Sequence, residues 1–503
     1  MSVQLPIPDS TLHKDWREWG NRLVQTLQKE KSKPRDITFR QQGTGAVDRS
    51  IFSKTGETVS VKDFGATGDG TTDDTTAVQA AFDAVLANLG GGVFFPAGEY
   101  LITNTLGIDI SAGDARIWLS GDGNGSAQLT SNFAGDLLQI TGGTGTNFHS
   151  YMRIDGLNFT GPGSTTVGAR GLVMDNTAFF HVDDCTVTGF EYGLVGTDLV
   201  SGSFDNLRLR FNSYGGTFSY SNLSRPNALN FFGSTIGNND NYGLLATGPA
   251  CLGIIGGSIE SNGNTGGDTH RWGLKVSECG VEGALGLAMF NVYCEQNSID
   301  ADIWIEQSSY RCAFAILASS FVRNSSTYYC TNNIKLDLTT ATNKQTVLIA
   351  GCGFDKRGTY TENATRPYFG ISGITGNNYN LQTYGNLYGD STIRPANGPL
   401  AQPNGLAQVY VRFSGSAASP SITKGLNASS ITKNGTGDYT INYFRALQSA
   451  SNVYSVQLGS AAGHHTLFAE STTSVRFKTF AVDGTTATDF DNISVVVWSV
   501  QPE

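Results

Sequence analysis

The sequence is poor in charge. Lys, Arg, Asp and Glu make up 15% of its 503 residues, against roughly 25% in an average soluble protein. Basic residues are the scarcer sign, 33 Lys and Arg against 43 Asp and Glu, for a formal net charge of -10. Duplex nucleic-acid binders draw much of their affinity from basic side chains on phosphates, so that class is excluded. Long apolar runs are also missing. Val495-Val496-Val497-Trp498 is among the longest, far short of the roughly 20 residues that span a bilayer. No basic segment followed by an apolar core opens the chain, so neither a secretory signal nor membrane insertion is expected. The seven cysteines (185, 251, 279, 294, 312, 330 and 352) stand singly. An odd number without C-x-x-C argues against a disulfide framework or a zinc site and predicts free thiols packed in a core.

Glycine and aromatics are abundant. There are 62 glycines, 28 Phe and 19 Tyr. The glycines keep no G-X-Y period, which excludes collagen. The aromatics exclude simple disorder. Low charge with many Gly, Thr, Ser and Asn predicts short strands joined by many turns, and the length predicts more than one unit.

Residues 1–36 read as one helix. Asp9 or Ser10 can cap it, and Leu12, Trp16, Trp19, Leu23 and Leu27 recur at helical steps. A lone helix must bury such a stripe against something else, so it is expected to serve attachment. Residues 37–58 are polar and read as a linker. From residue 59 the pattern changes. Val59–Phe64 alternates like a strand, and Gly65–Gly70 is a turn cluster. Thr72-Asp73-Asp74 offers N-caps for a helix expected to run to Leu89 and stop at Gly90. Gly91-Gly92-Val93-Phe94-Phe95-Pro96 then gives a turn and a short buried strand.

Eight segments of the middle align on one another. The anchors are Phe159, Val187, Leu209, Ile236, Ile259, Cys294, Phe321 and Phe354, spaced 22 to 35 residues apart. Three residues before each anchor stand Gly156, Asp184, Asn206, Gly233, Gly256, Asn291, Ala318 and Gly351, mostly types that tolerate positive φ. Such a period with period-2 alternation predicts a solenoid of stacked strands. Residues 396–503 differ. Runs at Gln408–Phe413, Tyr439–Phe444, Tyr454–Leu458, Val475–Phe480 and Ile493–Trp498 are separated by turn residues and predict an antiparallel β-sandwich.

The motifs Gly68-Asp69-Gly70-Thr71-Thr72-Asp73-Asp74-Thr75, Ala77-Val78-Gln79-Ala80-Ala81 and Gly91–Tyr100, with Gly43–Arg49 upstream, resemble the opening of the pectate-lyase-like right-handed β-helix family, bacteriophage tailspikes in particular. The resemblance implies a mainly β chain: a right-handed parallel β-helix over 59–395, with the N-terminal helix before it and the sandwich over 396–503 behind. It further implies a homotrimer joined to a phage tail or baseplate protein by residues 1–36. Such a trimer would be made in the host cytoplasm, carried in the virion, and active on a polysaccharide at the bacterial surface. Glycoside hydrolysis is the expected reaction. A lyase and a non-catalytic adhesin remain open on the same fold, and no cofactor is implied. Gly435–Tyr443 also resembles C-terminal domains of phage tail proteins, which assist trimer formation or bind sugars.

Residues flanking each anchor should point outward. This makes Glu260 and Glu295 neighbours on adjacent rungs, roughly 4.8 Å apart at the backbone. Two like charges so close raise one pKa and suit an acid paired with a nucleophile or base. Arg208, Arg210 and Tyr293 share that face. The excursion after Glu260 carries Asp268, His270, Arg271 and Trp272, residue types that stack on and hydrogen-bond to sugars. These seven are the expected substrate-binding residues. A second column, Asp155, Asp183 and Asp205, precedes the turn position and is expected to make Asx turns. Asp183-Asp184 and Asp300-Ala301-Asp302 lack the spacing of a calcium loop, so no metal is expected.

Overall fold

A computed structural model describes residues 38–388 and 409–499, except 51–52, 55, 89, 112–114, 124, 144–150, 222–224, 280–283, 308–309, 324–329, 338–344, 357–368, 373–378, 385, 444–446, 448–451 and 459–462. The helix expected in 1–36 lies outside the described residues.

From Thr58 to Tyr388 the chain winds as a right-handed parallel β-helix. Each turn contributes one strand to each of three parallel sheets of 12, 12 and 10 strands. One full rung shows the order: Tyr151–Asp155 on the first sheet, Leu157–Thr160 on the second, Arg170–Asp175 on the third, then Phe180–Asp183 on the first again. The eight anchors are register partners in one unbroken column of the second sheet. All are buried, as alternation requires.

The turn residues behave as their types suggest. All eight sit at positive φ, between 46° and 67°. Here the chain leaves the first sheet and re-enters the second within one or two residues. Left-handed backbone makes so sharp a corner possible, and Gly and Asn adopt it at least cost.

Inside, apolar side chains stack from rung to rung. Phe180, Phe204 and Phe231 follow one another at ring separations of 5.2 and 4.7 Å. The corner between the second and third sheets carries a ladder absent from the sequence expectations: Asn212, Asn239, Asn262 and Asn297, each three residues past an anchor and all buried. Each of the first three amides donates to the next one's oxygen, at 3.2, 2.8 and 2.8 Å. Each also donates to the anchor carbonyl one rung back, as Asn239 does to Leu209 at 3.0 Å. The ladder thereby satisfies backbone groups that the corner removes from the sheets. Asn297 ends it on the buried Asp302 carboxylate, 2.8 Å away.

The helix spans Thr75–Leu86 and packs Val78, Ala81, Phe82 and Val85 onto the first rungs. It is shorter than expected, because Gly90 opens a strand of the first sheet instead of closing the helix. Asp74 precedes it without a side-chain cap bond. Its carboxylate instead accepts from the Thr67 and Gly68 amides at 2.7 and 3.0 Å, closing the Gly-rich turn. Gln79 exchanges two hydrogen bonds with Gly107, at 2.8 and 2.9 Å. Gly107 lies on the terminal strand of the third sheet, so one side chain covers an otherwise open edge.

Residues 409–499 form two four-stranded antiparallel sheets around their own core. All five expected strands are present. Three more, Ile422–Leu426, Ala428–Gly435 and His464–Glu470, lie on sheet edges. Ala428–Gly435 is polar and largely exposed apart from Ala428 and Ile431, which hides the alternation that marks a half-buried strand. Among the described residues no disulfide forms, and six of the seven cysteines are buried. Burial pushes the Cys185 thiol up to about 12.

Candidate functional site

The second sheet places Glu260 directly across from Glu295, with Ser258 across from Tyr293. Tyr293 donates its hydroxyl to Glu295, and Ser258 donates to Glu260 at 3.3 Å. The column is interrupted on both sides of the pair. Gly237 precedes Glu260 and Val322 follows Glu295. Both are buried, against the expectation that this position opens to solvent. At Gly237 the reason is visible: a Cβ there would stand 3.2 Å from the Glu260 Cγ, so Glu260 leans over the glycine.

The arginines of this face are engaged otherwise. Arg208 pairs with Asp184 at 3.2 Å. Arg210 lies 5.1 Å over the Phe211 ring.

The excursion after Glu260 turns round the Asn262 corner, and its side chains gather on the third sheet. Asp268 accepts the Tyr214 hydroxyl at 2.9 Å. His270 meets Asp300 at 3.3 Å, and Arg271 donates to the Gly266 carbonyl at 2.9 Å, holding the loop closed on itself. Trp272 is buried, stacked on Tyr242 at 4.9 Å, with its indole N–H bonded to the Leu244 carbonyl at 2.9 Å. It is a wall of a satellite core and not an open sugar platform. That core continues to Trp304, which Lys275 and Lys335 approach at 3.8 and 3.5 Å from its ring centre.

A second constellation lies on the first sheet. Asp155, Asp183 and Asp205 form the expected column, but not Asx turns. Their corners are closed by backbone bonds to the next rung, Gly156 to Asp183 at 3.0 Å and Asp184 to Asp205 at 3.0 Å. The carboxylates instead face the outward column two residues earlier, Arg153, His181 and Ser203. Arg153 lies 3.2 Å from Asp155 and 3.6 Å from Asp183. His181 lies 3.4 Å from Asp205 and 3.8 Å from Asp183, with its other nitrogen 2.6 Å from Ser203. One ligand atom from each of His181, Asp183 and Asp205 falls within a 4.8 Å cluster. Burial and the nearby Asp183 hold the Asp205 carboxyl above its ordinary range, although His181 opposes them. Beside this cluster Trp118, Tyr151 and Phe179 are 46%, 45% and 49% exposed. They line a concavity of about 410 Å³ with Gly91, Gly92, Arg116 and Arg153. The sequence does carry a signal for this site: Arg-x-Asp, His-x-Asp and Ser-x-Asp recur at one place in three consecutive rungs.

Residues 58–147 match the family model described as rhamnogalacturonase A/epimerase, pectate lyase-like. The chain has the pectate-lyase-like right-handed β-helix fold. It is 63% identical over 43 residues to the mannuronan C5-epimerase AlgE5 of Azotobacter vinelandii, a stretch covering 8% of this chain and 4% of that one. It is 32% identical over 149 residues to AlgE6 of the same organism, covering 27% of this chain and 15% of that one. The chain thus spans a small part of these relatives' length. Among solved structures, ORF18 of Geobacillus virus E2 superposes with a TM-score of 0.52 at 16% identity, over 93% of this chain and 86% of that one. The enzymatically active domain of bacteriophage CBA120 tailspike protein 2 superposes with a TM-score of 0.50 at 13% identity, over 88% and 67%. At these identities the superpositions speak for the fold.

Proposed function

We propose that the protein is a phage tailspike that binds and depolymerises a bacterial surface polysaccharide by glycoside hydrolysis. The register pairing of Glu260 with Glu295 carries this reading. Paired carboxyls are the working parts of most glycoside hydrolases, one giving a proton to the leaving oxygen and the other acting as nucleophile or base. Each carboxyl is held by a hydroxyl on its own strand, Glu295 by Tyr293 and Glu260 by Ser258, so one can act as the acid and the other as nucleophile or base. The fold shared with an enzymatically active tailspike domain supports the depolymerase reading. Residues 1–36 then join the spike to the tail, and the sandwich joins three copies.

The test is to weigh the products of capsular or O-antigen polysaccharide after incubation. Hydrolysis adds one water per cut. Uncut glycan would overturn depolymerisation and leave an adhesin.

A second reading, elimination, is favoured by the first-sheet constellation. His181, beside Asp205, can take the C5 proton of a uronate as the C4–O glycosidic bond breaks, a C4–C5 double bond forms and water protonates the leaving oxygen. Products without added water that absorb in the ultraviolet would select it.

A further inference from the structure

The three sheets differ in what they expose. Among the described residues fourteen large apolar side chains are exposed. Six of them, Trp118, Tyr151, Phe232, Ile255, Leu285 and Phe290, lie on strands of the first sheet, and none on strands of the second or third. Charge also leaves the first sheet part-way down. Arg116–Gly121, Tyr151–Asp155, Phe180–Asp183 and Val200–Asp205 each carry Arg or Asp. The next five strands, Asn227–Phe232, Leu252–Ile255, Leu285–Phe290, Ala313–Leu317 and Gln345–Ala350, hold no Asp, Glu, Lys or Arg.

Two outward columns run down these uncharged strands. Phe232, Ile255, Phe290 and Leu317 are successive register partners, and the first three are 39%, 38% and 52% exposed. Two residues earlier stand Asn230, Gly253, Ala288 and Ala315, again in register. A bulky ridge thus runs beside a shallow groove, roughly 7 Å away along the strands. Asn230 lies across the glycine, where a Cβ would stand 2.3 Å from its Oδ1. Its amide donates to the Ala228 carbonyl of its own strand at 3.4 Å.

An apolar face of this kind is seldom left in water. A glycan suits it poorly. Gly253, Ala288 and Ala315 offer no side-chain hydrogen bond to hydroxyl groups that would lose their water. The ridge repeats at the rung spacing of about 4.8 Å, and a second copy carries a groove of the same spacing. Rotation about an axis parallel to the solenoid keeps the rungs level. It turns the ridge side of one copy to the groove side of the next, for two copies or for three. Ile255 then meets Gly253, Phe290 meets Ala288 and Leu317 meets Ala315. Further up, Asp155 and Asp183 of one copy come to face Arg153 and His181 of the next, so charge does not oppose the contact. The face spans nine strands from Arg116–Gly121 to Gln345–Ala350. That is roughly 40 Å of length, which suits an interface of ordinary size.

We infer that copies of this chain pack side by side through the first sheet, solenoids parallel. The ridge of Phe232, Ile255, Phe290 and Leu317 seats in the groove of the next copy. This contact is additional to the one proposed for the sandwich and does not depend on the reaction. It would enclose the His181 cluster in the assembly, whereas Glu260 and Glu295, on the second sheet, stay outside it.

The test uses the full chain. Sedimentation equilibrium should give a multiple of one chain's mass. Ala288→Cys and Phe290→Cys are made in separate chains, co-expressed and oxidised. A disulfide closes only across a short Cα separation, so the mixture should form at least about fivefold more covalent pair than either variant alone. Both side chains point outward, so the circular dichroism spectrum should be unchanged. Ala315→Cys with Leu317→Cys repeats the measurement should the first pair not fold. Thr186→Cys with Thr188→Cys, on the second sheet, should give no covalent pair. A monomer, an assembly without the mixed disulfide, or an equal yield from the second-sheet control overturns the interface. Cleavage of a host polysaccharide with any of those results would leave the depolymerase reading standing, and a cross-linked assembly that leaves glycan uncut would do the reverse.

Discussion

Glu260 and Glu295 are direct partners on neighbouring parallel strands, two carboxylates in a column whose flanking positions are Gly237 and Val322. Stacked like charges destabilise a sheet unless something offsets them, so their juxtaposition has a cost that a catalytic role would explain. Glu260→Gln and Glu295→Gln should each lower the cleavage rate by about a hundredfold or more with little loss of thermal stability. Reducing-end release and a melting curve measure both. Wild-type rates in both folded variants would remove the pair from catalysis.

Asn239 accepts from the Asn212 backbone and side-chain amides, at 3.1 and 3.2 Å. It donates to Leu209 and Asn262 at 3.0 and 2.8 Å. Asn239→Ala strands several buried groups and should cost about 3 kcal/mol. Chemical denaturation measures it. A loss comparable to that of an exposed Asn→Ala control would mean that the ladder adds nothing to stability.

Ala318 occupies the left-handed corner at φ 48° without the freedom of glycine. Ala318→Gly should raise stability by about 1 kcal/mol, the relief of left-handed strain exceeding the added entropy of the unfolded chain. An unchanged or lowered denaturation midpoint would contradict this.

The Asp205 carboxyl is raised, chiefly by burial. Folding therefore favours its neutral form, and the associated stability is lost as pH rises through the raised value. Asp205→Asn, which stays neutral, should melt higher than the parent at neutral pH. The gap should close as the pH falls below the ordinary carboxylate range. A gap independent of pH would place the effect elsewhere.

Much of the fold was legible because a solenoid repeats its own evidence. The anchor column and the positive-φ corner each appear eight times, so exceptions such as Ala318 do not obscure them. The Asn ladder was equally periodic, three residues past the anchor, but a column that is polar and buried looks like a surface turn until its partners are known. The sites were harder. The register of Glu260 with Glu295 follows from the alignment, whereas the destination of Asp268, His270, Arg271 and Trp272 depends on which way a loop leaves the Asn262 corner. Spacing within the chain does not encode that direction. The first-sheet cluster was present as three Asp-containing repeats, yet its chemistry came from Arg153 and His181, which differ from rung to rung and so left no periodic trace.

From Asp155 to Gly353 the short corner between the first and second sheets leaves no room for added chain. At each of the eight aligned rungs it is one or two residues long and needs a left-handed residue. The other two corners hold connections as long as Ser261–Arg271. New recognition surface can therefore be acquired along two edges of the prism, while the third stays a fixed spine. If the tailspike reading proposed above holds, a lineage that changes hosts would rewrite the former and keep the latter.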